Sequence, residues 1–233
     1  MSGKLYLVPS FLYDGQGADS LPKETLDKVH TLKEFIVERS KTARAYLKAI
    51  GIPTPQDELI IHELDKHGKD DIDRFLKSAS EGGSIGLISE AGMPCVADPG
   101  AEIVTRAHKK GIQVIPLVGA SSILLALMAS GFNGQSFAFH GYLPIQNDDR
   151  KRKLLELEAN AARLKQTQIF IETPYRNNQM IDAIGRTCNN STLLCVAANL
   201  TSPDEKIIST TVGEWKHMKY DFHKQPAVFI IFS

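Results

Sequence analysis

Four short stretches of this sequence bring together residue types that could do chemistry. The longest is Ser89-Glu90-Ala91-Gly92-Met93-Pro94-Cys95-Val96-Ala97-Asp98-Pro99-Gly100. Its two Gly/Pro pairs make an ordered, turn-rich loop with exposed amides, and Gly92 permits close backbone approach to a ligand. Pro116-Leu117-Val118-Gly119-Ala120-Ser121-Ser122 opens an apolar helical stretch. Small residues at such a start leave amides and hydroxyls for a polar or anionic group, although Ser121 or Ser122 could equally be an ordinary cap. Glu172-Thr173-Pro174-Tyr175-Arg176 puts a carboxylate, an aromatic ring and a guanidinium at one strand-to-helix turn, with capping plus surface charge as the plainer reading. Asp148-Asp149-Arg150-Lys151-Arg152-Lys153 sets four successive cations near a helix start. A solvated face explains them; so does contact with RNA phosphates, and cations there oppose the helix dipole.

Other patterns carry less. Gly15-Gln16-Gly17-Ala18-Asp19-Ser20 begins like a dinucleotide fingerprint, but it lacks the third glycine and sits several residues past its strand, so it reads as a loop. Neither GxxxxGK[ST] nor GxSxG occurs. The seven histidines are scattered. His62 and His67 lie five apart, poor spacing for one helix face, and no metal site is expected. Cys95, Cys188 and Cys195 form no CxxC pair and read as reduced thiols of a cytoplasmic protein.

The elements that position these stretches alternate. β-Branched, apolar runs at Leu5–Pro9, Glu34–Glu38, Leu59–Leu64, Ile85–Ser89 and Gln113–Leu117 are separated by helical patterns near Lys23–His30, Lys41–Ile50, Asp71–Ser80 and Pro99–Lys110. This predicts βαβ units and a mostly parallel sheet. Asp98 and Pro99 are expected to cap and open the fourth of these helices. A second series follows: a helix over Ala120–Ser130, strands at Ser136–Leu143 and Thr167–Thr173 flanking a charged helix over Arg150–Lys165, and a helix from Thr173-Pro174 to about Arg186. Strands at Leu193–Ala198, Lys206–Val212 and Ala227–Phe232 end the chain, the last expected within a sheet. The sharpest punctuation lies at Pro116–Ala120, which places domains over 1–117 and 118–233.

The 233 residues are 42% hydrophobic and 23% charged, a globular composition, and 27 basic residues balance 27 acidic ones. A dedicated polyanion binder carries a basic excess, so zero net charge argues against one while allowing a local basic patch. No run approaches the ~20 apolar residues of a membrane span. The start, Met1-Ser2-Gly3-Lys4-Leu5-Tyr6, lacks a signal-peptide pattern.

Taken in order, the stretches resemble the tetrapyrrole methylase superfamily of S-adenosylmethionine-dependent methyltransferases. Within it they resemble the bacterial family that methylates a cytidine 2′-hydroxyl in small-subunit ribosomal RNA. That family's S-D-A-G-T-P-G-I-S-D-P-G is similar to Ser89–Gly100, its P-L-P-G-P-S-A to Pro116–Ser122, its E-S-P-H-R to Glu172–Arg176, and its G-F-L-P with a basic helix to Gly141-Tyr142-Leu143-Pro144 and Arg150–Lys153. The likeness covers nearly the whole chain. It implies two α/β domains, the N-terminal sheet mostly parallel and the C-terminal sheet mixed, with S-adenosylmethionine in a cleft between them, and a homodimer. By position it implies cofactor contacts from Leu12, Ala91, Gly92, Met93, Val96, Ser121, Ser122, Glu172, Leu200, Pro226 and Ala227. Arg150, Lys151, Arg152, Lys153 and Arg176 fall on the substrate side.

The departures cluster there too. The relatives' V-P-T-P-I-G-N-L becomes Val8-Pro9-Ser10-Phe11-Leu12-Tyr13-Asp14. Their E-D-T-R becomes Glu38-Arg39-Ser40-Lys41, and their A-R-E-L-T-K becomes Ala197-Ala198-Asn199-Leu200-Thr201-Ser202. A divergent member is implied. Methyl transfer to a weakly acidic ribose hydroxyl is helped by orientation and a general base; Glu38, Lys41 and Glu172 are equal candidates. Two other readings share the motifs: a C-methyltransferase of a precorrin or uroporphyrinogen, and a cofactor-binding protein without catalysis, suggested by the charges lost at Ala198 and Asn199.

Overall fold

A computed structural model describes residues 3–65 and 71–233; Met1, Ser2 and His67 lie outside the described residues. The chain divides into two compact units, Met1–Ser121 and Ser122–Ser233.

The first unit is a five-stranded sheet of β1 (Lys4–Val8), β2 (Glu34–Val37), β3 (Ile60–Glu63), β4 (Ser84–Ile88) and β5 (Gln113–Pro116). The strand order is β3-β2-β4-β1-β5, and every pair is parallel. Leu5, Val8, Phe35, Ile36 and Ile85 have no exposed surface. Such near-continuous apolar runs are what a parallel sheet covered on both faces requires. Its helices are α1 (Lys23–Val29), α2 (Ser40–Ala49), α3 (Ile72–Phe75), α4 (Lys77–Ser80) and α5 (Ala101–Lys109). Because all five strands run one way, the loops after β1, β2, β4 and β5 leave the sheet at the same end, where ligands of open α/β sheets bind.

Two local expectations are corrected. The helix expected over Asp71–Ser80 is broken at Leu76 into α3 and α4, with the Asp71 carboxylate accepting from Arg74 N. Helix α5 begins at Ala101, not Pro99; its N-cap is Gly100 at φ 125° and no side chain caps it. Asp98 is thereby released from a capping role.

The second unit holds β6 (Phe137–Tyr142), β7 (Thr167–Ile171), β8 (Leu193–Ala198), β9 (Lys206–Thr211) and β10 (Ala227–Phe232), with α6 (Ser122–Ser130), α7 (Asn147–Leu164), α8 (Asn177–Thr187) and α9 (Val212–Trp215). The order is β6-β7-β10-β8-β9; β6 and β7 are parallel and the other pairs antiparallel. The final strand therefore lies in the middle of a mixed sheet, and its residues from Val228 to Ile231 are at most 3% exposed. Phe170 and Phe229 stack across that centre at 5.5 Å. Thr211 and Glu214 form a reciprocal capping box on α9, a short helix that the strand pattern through Val212 had hidden. Thr173 and Pro174 open a single 3-10 turn before α8 instead of α8 itself.

Glu158, 7% exposed, ties α7 to the turn before β8. It accepts from Asn189 N at 2.7 Å, Asn189 Nδ2 at 3.0 Å and Thr192 Oγ1 at 2.5 Å. Glu158→Ala leaves these donors unpaired and is expected to destabilise the protein by about 1–3 kcal/mol, with Glu158→Gln closer to wild type, in denaturant unfolding.

Candidate functional site

In the first unit three loops meet around Gly92. Its φ is +71°, in the left-handed region that glycine favours. A Cβ there would lie 3.1 Å from the Leu12 side chain and 3.6 Å from the Ala120 carbonyl oxygen. Ser10 N donates to Gly92 O at 2.8 Å, and Gln16 Oε1 accepts from Leu12 N and Tyr13 N, holding the β1 loop in place. Leu12 and the Ala91-Gly92-Met93 turn, expected on the cofactor, are thus adjacent. Gly15–Ser20, the partial dinucleotide motif, contributes a loop and a 3-10 turn at Ala18–Ser20 rather than a strand-to-helix glycine turn. Further along, Cys95 and Ala97 also adopt positive φ (69° and 63°). Two non-glycine residues in that region within three positions store strain, which proteins concentrate at functional loops.

The same loop brings Asp98, read from sequence as a helix cap, near Glu38, a candidate base, and Glu90. Glu38 and Glu90 lie close enough to Asp98 to raise its pKa. Burial pushes the Asp98 carboxyl up to about 6, the Glu38 charge adds to it, and the Ser89 hydroxyl opposes it. Glu38 is raised as well, first by burial and then by Glu90, although Glu90 N donates to its Oε1 at 3.2 Å and Arg39 favours its charge. Glu90 itself accepts from Thr42 Oγ1 at 2.5 Å and faces Arg39 Nε at 3.8 Å. Lys41 stands exposed in the first turn of α2. Two carboxyls with elevated pKa values on neighbouring loops are the usual mark of acid–base chemistry.

In the second unit, strand register gathers another group at one end of the sheet. Val228 pairs with Ile171 and Ala227 with Ala198. That sets Glu172, Pro226-Ala227 and Asn199-Leu200 side by side, and Asn199 N donates to Pro226 O at 2.9 Å. Asn199 and Thr201 bracket Leu200 at φ 51° and 72°. Glu172 is 4% exposed. Its Oε1 accepts from Thr173 N at 2.6 Å and from Arg176 Nε and Nη2 at 3.0 and 2.5 Å, while Oε2 is buried without a partner. Arg176 is therefore engaged by Glu172 and orients it. Ser122 opens α6, which packs on β8, β9 and β10.

The four cations are not equivalent. Helix α7 begins at Asn147, so Asp148 and Asp149 occupy the favourable first turn and the cations follow. Arg150 is 8% exposed and donates to Ile145 O at 3.4 Å and Asn147 Oδ1 at 2.5 Å. Arg152 pairs with Asp149, and Lys153 with Glu156 at 2.7 Å. Lys151 is exposed and forms no salt bridge among the described residues. Arg150, Lys151 and Arg186 line one cavity of about 290 Å³; Arg186, on α8, is the cation that linear reading missed, because it lies far from the cluster in sequence.

Burial raises the Cys188 thiol to about 12 and the Cys195 thiol to about 11, which keeps both protonated and unreactive. Among the described residues no group of three metal-ligating side chains gathers, and no helix is long and apolar enough to cross a membrane.

The sequence matches the tetrapyrrole (corrin/porphyrin) methylases over residues 19–216. It is 34% identical to ribosomal RNA small subunit methyltransferase I of Halalkalibacterium halodurans over 218 residues, 92% of this chain and 70% of that protein. It is 33% identical to the protein of the same name from Bacillus subtilis, over 91% of this chain and 68% of the relative. Among solved structures, diphthine synthase superposes with a TM-score of 0.66 at 14% identity, covering 100% of this chain and 90% of that one. Uroporphyrin-III-C-methyltransferase from Thermus thermophilus gives 0.57 at 17%, over 100% and 93%. The last two likenesses speak to the fold alone.

Proposed function

Because this chain belongs to the tetrapyrrole methylase family, a class of S-adenosylmethionine-dependent methyltransferases, we propose that it methylates a ribose 2′-hydroxyl of cytidine in small-subunit ribosomal RNA. The observation that carries the acceptor is the 34% identity, over 92% of the chain, with a relative named for methylating that RNA. The tetrapyrrole enzymes resemble the chain at about half that identity, and the pair of elevated carboxyls gives a purely cofactor-binding role no use for its acid–base chemistry.

The residues suit the cofactor. Gly92 presents backbone where a side chain would obstruct. The unpartnered Glu172 Oε2 is a buried acceptor suited to an N–H of the bound nucleoside or its amino group. Leu12, Ala91, Met93 and Val96 would hold it from the first unit, with Ser121 at the end of that unit's last loop. Ser122, Leu200, Pro226 and Ala227 are the corresponding positions of the second. When bound, S-adenosylmethionine supplies an electrophilic methyl group already attached to its leaving group.

The chain's own task is then to align the hydroxyl and take its proton. The Glu38–Asp98 pair is suited to the second role, since a carboxylate with a pKa near 6 is a stronger base than a free aspartate and is still ionised at neutral pH. Glu172, fixed by Arg176, has a positioning role. Lys41, exposed in the first turn of α2, would steady developing negative charge on the oxygen. Arg150 keeps the α7 start in shape, while Lys151 and Arg186 offer charge to the RNA backbone, with Arg152 and Lys153 able to exchange their carboxylate partners for phosphate. Replacing Lys151 or Arg186 by alanine is expected to weaken RNA binding and to lower the slope of log K against log salt by about 0.7–0.9 for each charge. An unchanged slope in filter-binding titrations removes that residue from the interface.

The cytoplasm and a homodimer complete the proposal. Leu124 and Met128, four apart on α6, are 46% and 78% exposed, a stripe that a second copy could cover; light scattering on the purified protein tests the dimer. The activity is tested by incubating the protein with methyl-labelled S-adenosylmethionine and whole-cell RNA from a strain lacking it. Label in small-subunit ribosomal RNA supports the proposal, and label confined to a tetrapyrrole, or absent, refutes it.

A further inference from the structure

Beside the glycine turn, wholly within the first unit, lies a cavity of about 460 Å³. Ser10, Phe11 and Asp14 after β1, Tyr46 of α2, and Ser89 and Glu90 after β4 line it. None of these residues is needed by the cofactor assignment above. Ser10 and Ser89 are 4% and 5% exposed; the Ser10 hydroxyl has no hydrogen-bond partner, while the Ser89 hydroxyl faces the Asp98 carboxylate. Buried hydroxyls left unpaired are uncommon in native proteins and call for an explanation. Here the unpaired hydroxyl is that of Ser10, in the wall of the cavity, so a polar ligand in it is the economical one.

The lining restricts the ligand. Glu90 and Asp14 bring carboxylates and the cavity has no lysine or arginine in its wall, so it disfavours a phosphate. Phe11 packs edge-on against Tyr46 at 4.9 Å, and the Tyr46 hydroxyl donates to Pro9 O at 2.7 Å, which fixes an aromatic wall. Thr42 holds the Glu90 carboxylate from the helix side. A flat, uncharged heterocycle is favoured, with an exocyclic N–H for a carboxylate and a ring acceptor for the Ser10 hydroxyl. The volume suits a nucleoside. The cavity also adjoins the proton-accepting group, since Ser89-Glu90 precedes Ala91-Gly92 and the Ser89 hydroxyl lies beside Asp98.

We propose that this cavity reads the acceptor base, with Ser10 and Glu90 as its specificity determinants and an amino-bearing pyrimidine as its occupant. The inference rests on the RNA acceptor proposed above. An unstacked base is recognised by hydrogen bonds along its pairing edge and by stacking against apolar walls. Cytosine offers its amine to Glu90 and a ring acceptor to Ser10. Uracil sets a carbonyl against the same carboxylate and is rejected.

The experiment uses the isotope-labelled full chain and two probes, cytidine and uridine 5′-monophosphate, followed by amide chemical shifts. Cytidine monophosphate is expected to shift Ser10, Ala45 and Ser89, with uridine monophosphate binding about tenfold more weakly, the scale of one hydrogen bond to a charged group. Ala45→Trp, at an exposed α2 position on the cavity rim, should abolish the shifts. Ser10→Ala should weaken cytidine monophosphate about tenfold without lowering the melting temperature, since it deletes an unpaired polar group. Glu90→Gln, which can donate to a carbonyl, should erase the preference over uridine monophosphate. Shifts that are absent, lie elsewhere, survive Ala45→Trp or are equal for both nucleotides overturn the assignment. Specific shifts in a protein that methylates no RNA overturn the proposed acceptor instead, and RNA methylation unaffected by Ala45→Trp overturns the cavity alone.

Discussion

Asp98→Asn lowers kcat for methyl transfer by about 10²–10⁴-fold, the range typical of removing a positioned general base, while the dissociation constant for S-adenosylmethionine stays near that of the wild type. The split separates proton acceptance from cofactor binding. In the wild type, log kcat rises with pH through a limb near 6, reporting the Glu38–Asp98 pair jointly rather than either residue; the variant loses that limb. Retention of kcat within about twofold, inside ordinary experimental variation of a neutral substitution, would remove Asp98 from the reaction. Stability moves the other way. The folded-state pKa is raised above the usual 3.8 to about 6, so the folded protein binds more protons than the unfolded chain between those values, and stability falls as pH rises through that window. Above about pH 6 both states are ionised and the penalty is constant. Asp98→Asn should therefore flatten the stability profile between about pH 4 and 6 and stabilise the protein at pH 8. The gain is of order 1 kcal/mol, less than the full shift converts to, because the group is only half-buried and solvent screens it.

Gly92→Val abolishes measurable S-adenosylmethionine binding in calorimetry, an effect of at least about 100-fold. Two costs combine. A β-branched residue at φ +71° is held in a backbone region it strongly resists, and its Cβ sits 3.1 Å from Leu12 before the two γ-carbons are added. Either the turn rearranges or Leu12 leaves its place, and both alter the surface offered to the cofactor. Gly92→Ala, with the same strained φ but only one carbon against Leu12, is expected to fall between. Far-ultraviolet circular dichroism distinguishes a local effect from unfolding. A valine variant that is folded and binds with wild-type affinity would show that this turn does not approach the cofactor.

The architecture was legible because burial writes itself into sequence. Runs such as Phe35-Ile36-Val37 and Ile85–Ile88 could only be strands sheltered on both faces, and Ala227–Phe232 had the composition of a central strand although it is nearly terminal. What the sequence concealed depended on the third dimension or on unusual backbone. Asp98-Pro99 has the pattern of a helix start, yet the extra turn at Gly100 delays α5 and leaves Asp98 among other carboxylates. Nothing in the types of Cys95, Ala97 or Thr201 announces a positive φ. Arg150–Lys153 look alike in a line, whereas the α7 periodicity buries the first, exposes the second and gives the last two partners three residues away. Arg186 joins Lys151 only because α8 packs on α7. Thr211-Val212-Gly213-Glu214 did carry a capping-box signal, masked by the strand that precedes it.

The most direct test is nucleoside mass spectrometry of small-subunit ribosomal RNA from a strain lacking the protein, before and after incubation with the purified chain and S-adenosylmethionine. A new 2′-O-methylcytidine is expected to appear with the wild-type protein and to be lost with Asp98→Asn. A methyl group found on a base, on a tetrapyrrole or on no ribosomal nucleoside would contradict it.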